Sequence, residues 1–389
     1  MFDHTRALSK KADELKPSGI RKFFDLLSGR EGVISLTVGQ PDFATPWHIR
    51  DAGIDSIADG HTFYTSNRGT PEIRQEIAKY MDRRFGLSYC PESEILVTVG
   101  ASEAIDLVIR SLIEDGDEVI VPIPSFVCYG PLVEMCGGKV VTVETRPEDS
   151  FKLTPEKLSA AITDRTKLII LPYPSNPTGA ILEKKELEAL SEVVLKTNAV
   201  VLSDEIYAEL TYGKNHVSIA SLPDMKERTV VINGFSKAYA MTGWRLGFSC
   251  APEWLTEPMF KIHQYAIMCA PTVSQYAATE ALKNGDADIE MMKTEYDRRR
   301  KYLTKALAEI DLPCESPEGA FYVFMKLSHH GLSSEEFCER LLEEHNVAIV
   351  PGNAFGECGE GYARISYAYS LDHLKEAVKR MDKFVKSLK

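Results

Sequence analysis

The sequence contains no run of about 18 apolar residues, the length a helix needs to cross a bilayer. Its first residues, Met1-Phe2-Asp3-His4-Thr5-Arg6, lack the apolar stretch of a secretory leader. A cytoplasmic protein that engages no membrane is therefore expected. Basic charge is also scarce. Forty-five Lys and Arg stand against 57 Asp and Glu, a formal net charge of −12. Nucleic acid is held mainly through phosphate neutralisation by basic surface, so it is not expected as a partner. No Cys-x-x-Cys pair occurs. The eight cysteines are scattered between Cys90 and Cys358, which reads as free thiols in a reducing compartment. Neither a zinc-site spacing nor His-Glu-x-x-His is present, and His329-His330 beside Gly331 reads as loop, so no metal is expected. The phosphate-loop motif of ATPases, the Gly-x-Gly-x-x-Gly of dinucleotide enzymes and the Gly-x-Ser-x-Gly of hydrolases are missing too.

The 389 residues are 44% hydrophobic and 26% charged, an ordinary globular composition with length for about two domains. From residue 94 to 250, short β-branched runs alternate with amphipathic stretches. The predicted strands are 95–99, 118–121, 139–143, 168–171, 199–203, 229–232 and 246–250, with helices such as 102–113 and 184–195 between them. Near-continuous apolar strands with helical connections predict an α/β fold, a mostly parallel seven-stranded sheet sandwiched by helices. Past Gly285 the pattern changes to a long charged helix over 286–310, strands at 320–325, 348–350 and 362–366, a helix near 334–344 and a last helix from Leu371. This predicts a smaller α+β domain of residues 1–45 and 286–389, beside a large domain of 46–285.

Parallel sheets bind ligands beyond the carboxyl ends of their strands. After 229–232 comes Gly234-Phe235-Ser236-Lys237, and then Gly243-Trp244-Arg245. Lysine forms Schiff bases with aldehydes, and burial lowers its pKa enough to make it nucleophilic. Arginine offers a planar fork suited to phosphate. One compound carrying both groups is pyridoxal phosphate; taken alone, the run reads more readily as a solvated turn. After 95–99, Gly100-Ala101-Ser102 opens a helix, which suits either a phosphate or a plain N-cap. After 118–121, Phe126 suits either a stacked ring or a core position. After 168–171 comes the tight turn Asn176-Pro177-Thr178-Gly179, whose Asn176 amide can bond a ring oxygen or a carboxylate and whose Asn176–Pro177 peptide is expected to be cis. After 199–203 come Asp204 and Tyr207, an acid to match a protonated pyridine and a phenol for its oxygen. Arg364 lies within an apolar strand pattern and calls for an anion, either a ligand or the carboxylate of a structural salt bridge.

These elements, in this order, together with Gly39 in Ser35-Leu36-Thr37-Val38-Gly39-Gln40-Pro41-Asp42 and Tyr64 near the start, resemble the fold type I pyridoxal-phosphate enzymes, and among them the class I/II aminotransferases of aspartate and aromatic type. The resemblance covers nearly the whole chain. It implies that Lys237 carries pyridoxal 5'-phosphate as a Schiff base. Asp204 would keep the ring nitrogen protonated, Tyr207 and Asn176 would bond the 3-oxygen, and Phe126 would stack on the ring. Arg245, Ser236, Ala101 and Ser102 would hold the phosphate. Tyr64 would reach the phosphate of a neighbouring subunit in a homodimer. Arg364, with Asn176 and Gly39, would bind the substrate α-carboxylate, and the segment around Ser18-Gly19-Ile20-Arg21 would close over it.

The resemblance further implies ping-pong exchange of an amino group between an L-amino acid and a 2-oxo acid such as 2-oxoglutarate, with Lys237 as general base and acid. No second, dicarboxylate-binding arginine is identified, and Arg68 is the candidate substitute. Segment 263–271 is expected to contact the substrate side chain; its mixed aromatic and apolar character fits a broad aromatic or aspartate preference. Two alternatives share the fold: a carbon–sulfur β-lyase, and a non-catalytic regulator that senses the cofactor.

Overall fold

The computed structural model describes residues 7–17, 19, 30, 32–327 and 330–388. The centre is a seven-stranded sheet of β1 (Ile95–Thr98), β2 (Glu118–Ile123), β3 (Lys139–Glu144), β4 (Thr166–Leu171), β5 (Val200–Asp204), β6 (Thr229–Gly234) and β7 (Gly247–Cys250). Its order is β1-β7-β6-β5-β4-β2-β3. β7 pairs antiparallel with both of its neighbours, and the other pairings are parallel. Six strands therefore run one way and β7 alone runs back.

Alternate residues face opposite layers, as a pleated strand requires. Leu96, Leu168, Ile170, Val230 and Ile232 pack with Ile105, Val108, Leu255 and Met259 of the helices Gly100–Leu112 and Glu253–Ala266. On the other face Ile169 and Leu171 meet Leu187 and Leu190 of the helix Lys184–Val194, and Val97 and Val231 meet Ile73, Ile77 and Ala278. With both faces covered, β1, β4, β5 and β6 tolerate almost no polar side chain before their ends.

A separate three-stranded antiparallel sheet is built from Val350–Pro351, Tyr362–Ser366 and Tyr322–Lys326. Its core holds Met292, Tyr296 and Leu303 of the helix Asp286–Glu309 and Met381 and Phe384 of the helix Leu371–Ser387.

The single strand expected at 348–350 is in fact two. Val347–Ala348 pairs in parallel with Ile34–Ser35, whereas Val350–Pro351 forms an edge of the antiparallel sheet. Ile349, 1% exposed, marks the step between the two sheets. Pro351 lacks an N–H and suits an edge.

Among the described residues, no helix is long and apolar enough to cross a membrane.

Candidate active site

The carboxyl ends of the parallel strands deliver the chemistry. β1 runs into the helix Gly100–Leu112, β2 leads to Phe126, β4 to Asn176, β5 ends on Asp204, and β6 leads into the short helix Phe235–Ala238 that holds Ser236 and Lys237. Because β7 runs backwards, Arg245, just before its amino end, arrives at the same edge. Eleven of the twelve predicted site residues line one cavity of about 260 Å³: Gly39, Ala101, Ser102, Phe126, Asn176, Asp204, Tyr207, Ser236, Lys237, Arg245 and Arg364. The twelfth, Tyr64, is 81% exposed and sits apart, beside Phe63, Ile267 and Cys269.

Lys237 reaches into the cavity and donates to the Gly39 carbonyl at 2.6 Å. Its amine is brought down to about 8, first by desolvation and then by the charges of Arg245 and Arg364, with Asp204 opposing. Part of the side chain touches the cavity space, but the surrounding protein excludes most solvent from the amine. Gly39 must be glycine for a steric reason, since a Cβ there would lie 2.0 Å from the Tyr322 hydroxyl.

Asp204 is 6% exposed. Tyr129 donates to its Oδ2 at 2.6 Å, and the Ile206 N–H to its Oδ1 at 3.3 Å. Burial raises its pKa, and the Tyr129 hydrogen bond opposes that rise. No salt bridge to Asp204 is formed among the described residues. The Tyr207 and Tyr322 hydroxyls lie 2.7 Å apart.

Arg364 donates from Nη1 to Asn176 Oδ1 at 2.8 Å and from Nη2 to the Thr37 carbonyl. Its guanidinium lies over the rings of Tyr322 and Phe355, at 4.6 and 4.8 Å. Its Nε is buried without a partner. A buried guanidinium with no carboxylate of its own among the described residues is a receptor for an anion.

At the other end of the cavity the helix Gly100–Leu112 presents its amino terminus, whose backbone N–H groups and dipole favour a phosphate. Gly100 has φ +76°, and a Cβ on it would come within 2.6 Å of Arg245 Nη2. Arg245 itself adopts φ 51°, the left-handed region, and bonds the Thr242 carbonyl at 3.1 Å. One cavity thus holds a depressed amine, a buried carboxylate without a cation, an anion cradle and an unpaired arginine. That donor set fits an aldehyde-bearing pyridine phosphate together with a substrate carboxylate.

A family profile, Aminotransferase class I and II, matches residues 31–381. The chain belongs to the class I and II aminotransferases. It is 45% identical over 386 residues to an aspartate aminotransferase of Pyrococcus abyssi, a match covering 98% of this chain and 99% of that one. It is 44% identical over 386 residues to aromatic-amino-acid aminotransferase 2 of Thermococcus litoralis, with the same coverage. The aspartate aminotransferase of Thermus thermophilus solved with maleate superposes with a TM-score of 0.92 at 39% identity, covering 97% of this chain and 99% of that one. The fold is therefore that of the fold type I pyridoxal-phosphate enzymes, and the protein is a transaminase.

In this aminotransferase the Asn176–Pro177 peptide is cis, as expected. Two other expectations meet a different arrangement. Arg68 lies outside the cavity, paired with Glu257 and 3.9 Å over the Phe260 ring, so its charge is already committed. Segment 263–271 does not line the cavity of its own chain. His263 is buried against Glu103 at 2.6 Å, while Tyr265 is 94% exposed. The expected closing segment falls outside the described residues except for Gly19, as does His329 of the expected loop. Sequence reasoning missed Tyr129 and Tyr322, which line the cavity and bond Asp204 and Tyr207. Tyr129 follows Phe126 by three residues, past the same strand end, a position that could have revealed it. Tyr322 carries no such signal.

Proposed function

We propose that the chain exchanges an amino group between an L-amino acid, aromatic or aspartate-like, and a 2-oxo acid such as 2-oxoglutarate, in two half-reactions of a ping-pong cycle. The observation that carries this reading is the lowered amine of Lys237, set in one cavity with the carboxylate of Asp204 and the unpaired guanidinium of Arg364. The names of the relatives, which include aspartate and aromatic-amino-acid aminotransferases, support the substrate class.

When bound, pyridoxal 5'-phosphate supplies an aldehyde for the amine and a ring that accepts the electron pair left at the α-carbon. The chain's residues do the rest. Ser236, Arg245 and the N–H groups at Ala101 and Ser102 would hold the phosphate. Asp204 would pair with the ring nitrogen and favour its protonated form. Tyr207 and Asn176 would bond the ring oxygen, and Phe126 would stack on the ring. Arg364, with Asn176 and Gly39, fixes the substrate α-carboxylate, which brings the α-hydrogen to the amine. Lys237, its amine brought down to about 8, takes that proton and returns it as general base and acid.

The packing also supports two domains, 46–285 and the pair 1–45 with 286–389: one core holds only residues of the large sheet and its helices, and another gathers Ile34 and Leu36 with residues beyond 286, meeting the large domain at Tyr207, Leu210, Tyr212 and Ala240. A homodimer completes the reading, with Tyr64 reaching the partner's phosphate cradle. The exposed apolar side chains of Phe63, Tyr64, Tyr265, Ile267 and Met268 support it. Eight free cysteines support a cytoplasmic setting.

The test mixes the cofactor-loaded enzyme with each of the common amino acids, one at a time, and follows loss of its visible absorbance. Aspartate or an aromatic amino acid should discharge the band in a single turnover, and 2-oxoglutarate should restore it. A band that none of them discharges would contradict the proposal. Steady release of pyruvate and sulfide from cystathionine without any oxo acid would point to the β-lyase instead.

A further inference from the structure

Asp204 poses an electrostatic problem that the chain must solve before any cofactor arrives. A carboxylate buried to 6% exposure with no cation bonded to it drifts towards its neutral form. A neutral acid would set a hydrogen where the ring N–H needs an acceptor. The neighbouring charges give limited help. Glu205 raises the Asp204 pKa further, and Lys237 lowers it only through space.

One side chain is placed to oppose this. Tyr129 opens the helix Tyr129–Cys136 and is 1% exposed. Its hydroxyl donates to Asp204 Oδ2 at 2.6 Å, and its ring is fixed edge-on against Phe126, with centroids 6.1 Å apart at 86°. Burial and the Asp204 charge hold the phenol well above its ordinary pKa, so it keeps its proton and remains a donor. A hydrogen bond given to the anion favours the anion.

We propose that Tyr129 is a positioning residue: its hydroxyl keeps Asp204 ionised and aimed, and thereby sets the preference of the site for a ring with a protonated nitrogen. The inference rests on the reading that Asp204 faces that nitrogen. In this role Tyr129 acts through Asp204.

The test compares two compounds on the apoenzyme: pyridoxal 5'-phosphate and its deaza analogue, in which a C–H replaces the ring nitrogen. Dissociation constants come from quenching of intrinsic fluorescence. Tyr129→Phe should weaken binding of pyridoxal 5'-phosphate about ten- to a hundredfold, the loss of one charge-assisted hydrogen bond. It should change binding of the analogue by less than about twofold. Tyr129→His, which returns a donor, should recover part of the preference. In an Asp204→Asn background, adding Tyr129→Phe should change binding of pyridoxal 5'-phosphate by less than about twofold, because no charge is left to hold. Equal weakening of both compounds by Tyr129→Phe would assign Tyr129 a purely structural role and overturn the proposal, as would a further tenfold-scale loss in the Asp204→Asn background. Wild-type apoenzyme that binds neither compound would overturn the functional reading instead.

Discussion

Replacing Lys237 by methionine should stabilise the apoenzyme. The amine titrates at about 8 in the fold against 10.5 for a free lysine. Between those values the unfolded chain holds a proton that the native chain has lost, so stability rises with pH across that window. Below about pH 8 both states are charged and the full burial penalty is present. At roughly 1.4 kcal/mol per pH unit, the interval is worth about 3 kcal/mol. Water in the cavity and the lost hydrogen bond to the Gly39 carbonyl, which contributes about 1 kcal/mol, reduce the net gain to roughly 2 kcal/mol. Lys237→Met keeps the stem and removes the charge. Urea denaturation of both apoenzymes at matched protein concentration, followed by far-ultraviolet circular dichroism, measures the difference. At neutral pH the variant should be more stable by about 2 kcal/mol, and the difference should fall below about 1 kcal/mol near pH 10. A wild-type apoenzyme as stable as the variant at neutral pH would refute the reasoning, and so would a difference independent of pH.

Gly100→Ala places a methyl against Arg245 at a positive φ, so affinity for pyridoxal 5'-phosphate should drop by about tenfold or more, measured by loss of the cofactor on dialysis. Arg364→Ala should raise KM about thirtyfold or more, by similar factors for every amino acid used, since all share the α-carboxylate; a KM that changes for one substrate only would exclude that role. Arg68→Ala should cost about 1 kcal/mol in urea denaturation and leave KM unchanged, because its partners are Glu257 and Phe260; a raised KM for dicarboxylates would restore it as a substrate contact.

The large sheet was legible in the sequence because its strands are buried on both faces, and so read as apolar runs. The polar residues at their ends then stand out: Asp204, Asn176, Ser236 and Lys237 each follow such a run. What escaped is what lies inside apolar patterns. Tyr129 and Tyr322 are phenols in otherwise core-like segments, and only the fold shows that their hydroxyls meet Asp204 and Tyr207. The strand predicted at 348–350 split because pattern alone does not say which sheet a residue joins. The pairing of Arg68 with Glu257 is not legible, because the partner is 189 positions away, beyond any spacing rule. Segment 263–271 was placed by order along the chain, but the helix Glu253–Ala266 ends with Tyr265 turned outwards.

The central claim is that Lys237 carries the cofactor. Borohydride reduction of the enzyme loaded with pyridoxal 5'-phosphate, followed by digestion and tandem mass spectrometry, tests it directly. One reduced pyridoxyl phosphate should be found on Lys237, and none should remain bound to Lys237→Met after the same treatment. An adduct confined to any other lysine, or a loaded enzyme with no adduct, would contradict the account.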